Sequence, residues 1–270
     1  METKKPLMHF TAGYLINPTN PVTVNLLGAG GTGSQMLMAL AKMNYALKQL
    51  EHPGFQVNLW DGDTVSKANL GRQLFAEVEL GFNKAVALVN RTNRFFGTNW
   101  KAVPEPYCIN SLRKEYNALA SANVFISCVD TVSSRMELAN ILRQIIEKRE
   151  HHQDRPYYWM DFGNGRHTGQ VILSTVGKLP QPTSKKYRTV EQLPFVTDEF
   201  KTLLEQADTS DDTPSCSLAE ALSKQELFIN PTLANIGSSL LWSLLRNGMT
   251  EHRGVFLNLH EFRTQPLKLN

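Results

Sequence analysis

The chain has 270 residues, enough for one large domain or for a domain with an appended lobe. Its hydrophobic fraction of 41%, charged fraction of 20% and formal net charge of +3 describe an ordinary globular protein with no long basic track for nucleic acid. No segment reaches the ~20 apolar residues of a membrane helix, and the charged stretch Met1–Leu7 is not followed by the apolar core of a signal peptide. Cys108, Cys128 and Cys216 are an odd, widely spaced set, so the expected setting is cytoplasmic, with reduced thiols.

Val22–Leu27 (VTVNLL) is a short β-branched run that stops at Gly28, which reads as a parallel strand feeding a tight turn. From Ser34 to Leu50 the apolar spacing turns helical, with Met36, Leu37, Leu40, Met43 and Leu47 on one face, and His52-Pro53-Gly54 ends the helix. Phe55–Trp60 is a second strand, closed by Asp61-Gly62-Asp63. Strand, glycine turn, helix, strand and acid make a βαβ unit. Further on, the pattern predicts a helix over Gly81–Phe96, a strand over Lys101–Pro106 and a short helix over Leu112–Ala120. A buried strand, Val124–Cys128, precedes a helix that Ser133 or Ser134 caps and that runs to about Lys148. Tyr157–Gly163 and Gly169–Ser174 read as strands around Gly163-Asn164-Gly165. The fold class is α/β, a doubly wound, mostly parallel sheet with helices on both faces.

After Val176 the character shifts. Lys178–Pro214 carries four prolines and many polar residues, so a crossover off the core is expected, with one helix near Glu199–Gln206. An apolar helix over Pro231–Arg246 and a late strand over Val255–Leu259 complete the domain. The divisions are residues 1–20 as an N-terminal arm, 21–176 as the core, 177–217 as the crossover and 218–270 as a C-terminal helix and strand.

Gly28-Ala29-Gly30-Gly31-Thr32-Gly33 leaves backbone N–H groups free at a helix N-terminus, which suits a phosphate. Alone the turn serves NAD enzymes, flavoproteins and ATP enzymes alike. Asp61 ends the second strand, where an acid accepts from ribose hydroxyls, and Asp63 either shares that task or caps the next turn. Asn69-Leu70-Gly71-Arg72-Gln73 and Lys84 separate the possibilities. Fixed cations aimed at phosphates have no task in hydride transfer, whereas in adenylation they stabilise charge on the α-phosphate and the pyrophosphate. Asp130 follows a buried strand at the carboxyl edge of the sheet; a carboxylate there, facing a triphosphate, calls for Mg²⁺ between them. The bland reading of Asp130 is a helix N-cap.

These motifs, with Gly81-x-x-Lys84-Ala85 and Cys128-Val129-Asp130 followed by Arg135, strongly resemble the ThiF/MoeB/HesA superfamily, which contains the ubiquitin-activating enzymes. The match is good over roughly residues 20–175 and most like the ThiF-type proteins of bacterial PRTRC gene clusters. The resemblance implies an ATP-dependent adenylyltransferase, a ubiquitin-like-protein activating enzyme that acts on a C-terminal carboxylate and releases pyrophosphate. It implies a homodimer, a ubiquitin-like (β-grasp) partner and a conjugating-enzyme-like protein beside it. In its terms Gly28, Gly30, Gly31 and Gly33 cradle the nucleotide and Asp61 holds the ribose. Asn69, Arg72, Gln73 and Lys84 hold phosphates, and Asp130 positions Mg²⁺.

There are departures. The C-x-x-C pairs of zinc-bearing members are missing, so zinc is not expected. Residues 1–20 offer Lys4 and Lys5 but no Arg to reach into a partner's site, and Gly71 replaces a larger, usually polar residue. A thioester cysteine belongs on a loop outside the core, which favours Cys216, before the helix-like stretch Leu218–Lys224, over Cys108 and the strand residue Cys128. Asp211 and Asp212 oppose thiolate formation there. Among the histidines, His167 alone falls near the carboxyl edge of the sheet. The competing readings are adenylation of a small-molecule or tRNA-bound carboxylate without a thioester, a nicotinamide-dependent oxidoreductase, and a nucleotide-binding adaptor.

Overall fold

The computed structural model describes residues 5–112, 117–146, 155–202, 204, 219–220 and 224–269. In chain order the described elements begin with β1 (Leu7–Phe10), α1 (Gly13–Ile16), β2 (Val22–Leu27), α2 (Gly31–Gln49), β3 (Phe55–Trp60), α3 (Lys84–Phe96) and β4 (Lys101–Val103). There follow α4 (Asn117–Ala120), β5 (Val124–Ser127), α5 (Val132–Ile146), β6 (Tyr158–Asn164) and β7 (Thr168–Thr175). The remainder comprises β8 (Arg188–Thr189), α6 (Val196–Glu199), α7 (Ile229–Asn247), β9 (Met249–Thr250), β10 (His252–Asn258) and β11 (Arg263–Lys268).

The main sheet has eight strands in the order β11-β10-β7-β6-β5-β2-β3-β4. From β6 to β4 every neighbour is parallel, whereas β7, β10 and β11 add an antiparallel end. The chain leaves β2 toward β3 and β4, then returns to the other side of β2 with β5. The topology therefore switches between the carboxyl ends of β2 and β5, where open α/β sheets place their ligands.

Strand alternation divides the core between the two faces. Val24, Leu26, Val57, Leu59, Ile126 and Met160 meet the apolar stripes of α2 and α7 on one face. Leu27, Phe125 and Trp159 meet Leu138, Ala139 and Leu142 of α5 on the other. Met36, Leu37 and Leu40 are fully buried, each contributing about 1.5–3 kcal/mol of transfer free energy. α7 stops at Gly248, whose φ of 65° closes the helix in the left-handed region. No described helix is long and apolar enough to cross a membrane.

Local detail differs in places from the expected pattern. Thr131, rather than Ser133 or Ser134, caps α5: its hydroxyl accepts from Ser134 N–H at 3.2 Å. Of the helix expected over Leu112–Ala120, the described residues show a 3-10 turn at Ile109–Leu112 and the single turn of α4, while residues 113–116 lie outside the described residues. The segment expected to lie off the core buries Leu179, Leu193, Phe195 and Val196; the turn α6 precedes helical residues Lys201, Thr202 and Leu204 within the helix expected near Glu199–Gln206. β11 was not foreseen; its residues are largely exposed, and Pro266 sits in it, as suits an edge strand.

The N-terminal arm is built into the fold. β1 pairs in parallel with β8 of the crossover and antiparallel with β9, forming a three-stranded sheet. The Gln181 carboxamide extends this sheet, accepting from Phe10 N–H at 2.8 Å and donating to Phe10 O at 3.0 Å. Thr11 Oγ1 donates to Leu244 O at 2.8 Å, across 233 residues of sequence. His9 is buried between Val190 O at 2.7 Å and the Tyr158 hydroxyl at 2.8 Å, and burial pushes its imidazole below the usual range.

Candidate active site

β2 delivers the chain into the glycine turn. Gly28 has a φ of 91°, and a Cβ there would lie 2.7 Å from Cys128 O, so only glycine fits beside the end of β5. A Cβ on Gly33 would collide with Gly28 O, which lets the first turn of α2 close onto the turn that starts it. Asp61, at the end of β3, organises the same turn by accepting from Ala29 N–H at 2.6 Å and from Asp63 N–H at 2.8 Å. Burial pushes the Asp61 carboxyl above the usual carboxylate range, with the two N–H donors opposing the shift.

The Asn69–Gln73 segment hangs below α2. Asn69 Oδ1 accepts from Ser66 N–H at 2.8 Å and Ser66 Oγ at 3.1 Å, closing a capping box around a 3-10 turn at Lys67–Asn69. Asn69 O accepts from Gln73 N–H at 2.9 Å. Asn69 thus shapes the loop and does not line the cleft. Arg72 Nη1 donates to Gln225 Oε1 at 2.6 Å, while its buried Nε and the buried Gln73 Oε1 have no partner among the described residues. Burial lowers the Arg72 pKa without removing its charge. Lys84 Nζ donates to Asp63 Oδ2 at 2.8 Å, so the structure gives Asp63 a cation where the sequence suggested a shared ribose contact or a cap.

Asp130 follows β5 and is exposed at the mouth of the cleft. The loop carrying it is clamped from beneath. Arg135 Nη2 donates to Val129 O at 2.6 Å and Phe162 O at 2.8 Å, and Nη1 donates to Thr131 O at 3.2 Å. Arg135 Nε bridges both Asp161 oxygens at 3.1 and 3.2 Å, and Ser127 Oγ donates to Asp161 Oδ1 at 2.5 Å. Both members of this ion pair are buried, so the carbonyls on either side of Asp130 are held by a preorganised fork.

These elements enclose a cleft of about 330 Å³ at the switch point. Gly28, Gly30, Gly31, Asp61, Asp63, Arg72, Gln73, Lys84 and Asp130 line it; Gly33 and Asn69 support it from behind. One wall is apolar, from Leu27, Trp60, Tyr107 and Leu138, and flat enough for a base. Also lining the cleft are Asn164, Gln225 and Asn230, which sequence reasoning missed because polar residues remote in the chain carry no motif. The orphaned Arg72 Nε fits a phosphate oxygen, and the open Asp130 carboxylate fits a hard cation beside it. Among the described residues no group of three His, Cys, Asp or Glu side chains is arranged to hold a metal alone.

The cysteines separate by environment. Burial pushes the Cys128 thiol far up, with the Asp161 charge adding to the shift and Arg135 opposing it, so it is no nucleophile. Cys108 is half-buried and does not line the cleft. Cys216 lies outside the described residues, as do Asp211 and Asp212. His167 O accepts from Leu259 N–H at 2.8 Å, and its ring lies 5.8 Å from that of His260, away from the cleft lining.

A mostly parallel sheet with a glycine turn at its switch point, and with Arg72 and Lys84 lining the cleft beside it, is a doubly wound α/β fold. The sequence matches the ThiF family model over residues 19–264, and the chain belongs to that family. No curated protein matches it. Among solved structures, it is similar to selenomethionine PaaA, with 14% identity, 92% of this chain and 73% of that one covered, and a TM-score of 0.60. It is also similar to Escherichia coli MccB, with 14% identity, 94% and 63% coverage and a TM-score of 0.57. The complex of MccB with AMPCPP and MccA is similar at 13% identity, with 92% and 64% coverage and a TM-score of 0.55. The chain thus spans less than two thirds of MccB, and these likenesses show the shared fold.

Proposed function

We propose that this chain is an ATP-dependent adenylating enzyme acting on the C-terminal carboxylate of a ubiquitin-like protein. The observation that carries this reading is the convergence of Arg72, Gln73, Lys84 and Asp130 on one cleft beside the glycine turn. Membership of the ThiF family supports carboxylate adenylation in general. Solved structures of MccB with ATP and with MccA support a nucleotide site and a protein or peptide partner.

In this reading the apolar wall takes the adenine and Asp61 accepts from the ribose. The free N–H groups of the glycine turn, Arg72 and Lys84 hold the phosphates. A carboxylate oxygen of the substrate attacks the α-phosphorus. The bond from that phosphorus to the bridging oxygen breaks, and pyrophosphate leaves with the electron pair. Arg72 and Lys84 stabilise the charge as it moves onto the leaving group. Asp130 would hold Mg²⁺, which supplies charge neutralisation between the carboxylate and the phosphates. Cys216 is assigned as the acceptor of a subsequent thioester, the homodimer as the working form, and a conjugating-enzyme-like protein as the downstream partner.

ATP–pyrophosphate exchange tests the reading. A cognate β-grasp protein with an exposed C-terminus should stimulate exchange, and Asp130→Ala should abolish it. Exchange that persists in Asp130→Ala removes the assignment of Asp130. For Cys216, a reductant-sensitive adduct lost in Cys216→Ser is required, and a stable adduct on another cysteine contradicts the assignment.

A further inference from the structure

Part of the cleft lining is a chain of carboxamides whose orientation is fixed by one residue. Arg72 can only donate, so the Gln225 atom it meets at 2.6 Å is the oxygen Oε1. The same oxygen accepts from Asn230 Nδ2 at 2.8 Å. Asn230 therefore turns its oxygen the other way, where Oδ1 accepts from Thr32 Oγ1 at 2.8 Å and from Asn164 Nδ2 at 3.1 Å. Both oxygens take two donors each and are saturated. What remains is one-sided: the Gln225 Nε2 hydrogens have no partner among the described residues, and Gln225 lines the cleft next to Arg72.

Its position along the turn is also defined. Asp61 holds Ala29 at one end of the glycine turn, whereas Asn230 packs against Gly31 at the other so closely that a Cβ on Gly31 would overlap it. The carboxamide pair lies at the end of the turn remote from the acid that accepts from ribose. Glu226 N–H donates to Arg166 O at 2.9 Å, tying the segment to the β6–β7 hairpin.

We infer that Gln225, oriented by Arg72 and Asn230, is an anion-binding residue for the terminal phosphates of the nucleotide and for released pyrophosphate. This rests on the nucleotide reading of the cleft and adds to it a residue from the far end of the chain. A carboxamide with only donors left free, beside the half-buried Arg72 guanidinium and its unpartnered Nε, favours an anion over a neutral group.

The test is calorimetric binding of AMP, AMPCPP with Mg²⁺, and pyrophosphate with Mg²⁺ to the full chain and to two variants. Gln225→Met removes every amide contact. Gln225→Glu keeps an acceptor for Arg72 and Asn230 but has no donor, so it remains informative where Gln225→Met fails to fold. Both variants should lose about 10- to 100-fold for AMPCPP and pyrophosphate, the worth of one hydrogen bond to a charged group, and nothing for AMP. Unchanged binding of pyrophosphate, or an equal loss for AMP, overturns the inference and leaves the nucleotide reading standing. Wild-type protein that binds neither AMP nor AMPCPP overturns both.

Discussion

Lys84 Nζ sits 2.8 Å from Asp63 Oδ2, and the two partners differ sharply in environment: the lysine side chain is 10% exposed, the aspartate 73%. The ammonium is held inside the cleft wall by an acid that stands in water. A pair of this kind places charge more than it stabilises the fold, since the exposed partner is readily resolvated. Lys84→Met should therefore lower exchange by about 10²–10³-fold while changing stability by no more than about 1 kcal/mol. Parallel measurement of exchange and urea unfolding checks the split; an unfolding loss that accounts for the rate loss would contradict it.

The Arg135–Asp161 pair should behave in the opposite way. Both side chains are buried, so Asp161→Asn leaves an uncompensated guanidinium and should cost about 3–5 kcal/mol in urea unfolding. Replacing both, Arg135→Met with Asp161→Leu, should recover most of that stability. Exchange should stay low in the double variant, because the Val129 and Thr131 carbonyls flanking Asp130 lose their clamp.

Asp61 predicts an acid limb. Its pKa in the fold is raised above 3.8 by burial, and in the proposed reading its carboxylate accepts from the ribose hydroxyls. Nucleotide affinity should fall as pH drops through that raised value, at a pH where an ordinary aspartate is still ionised, and Asp61→Asn should flatten the limb. Stability runs the other way. The folded state binds this proton more tightly than the unfolded chain, so Asp61 costs stability as pH rises from below 3.8 through the raised value. Calorimetric titration and urea unfolding between pH 4 and 7, each about one unit apart, separate the two slopes.

Gly33→Ala should be damaging although Gly33 does not line the cleft. The added methyl meets Gly28 O, and relieving that overlap forces α2 away from β2. The expected cost is about 1–3 kcal/mol with a loss of nucleotide binding larger than stability alone explains. Thermal unfolding with and without AMPCPP reads both; a ligand-induced rise equal to wild type would contradict the expectation.

How much of this was legible depended on whether a residue's task is local. The βαβ unit, α3 and β5 were readable because apolar spacing and glycine breaks are properties of short windows, and Met36, Leu37, Leu40, Met43 and Leu47 are buried as their spacing requires. The motif residues that line the cleft, Asp61, Arg72, Gln73, Lys84 and Asp130, were readable because they cluster within the first half of the chain. Gln225, Asn230 and Asn164 were not, since a carboxamide has no signature until its partners are known. β11 escaped because an edge strand exposed on both faces shows no alternation. Thr131 was passed over because neighbouring Ser133 and Ser134 are equally good caps by residue type.

The small sheet around β1 has a consequence for how the molecule is made. β1 is synthesised well before its antiparallel partner β9, and Thr11 waits for Leu244 across 233 residues. Closing so long a loop is slow and entropically late. The nascent chain must therefore carry the arm unpaired while the central strands assemble, and the crossover gains its anchor at β8 and Gln181 only when β1 docks. Docking of the arm thus waits on synthesis of β9.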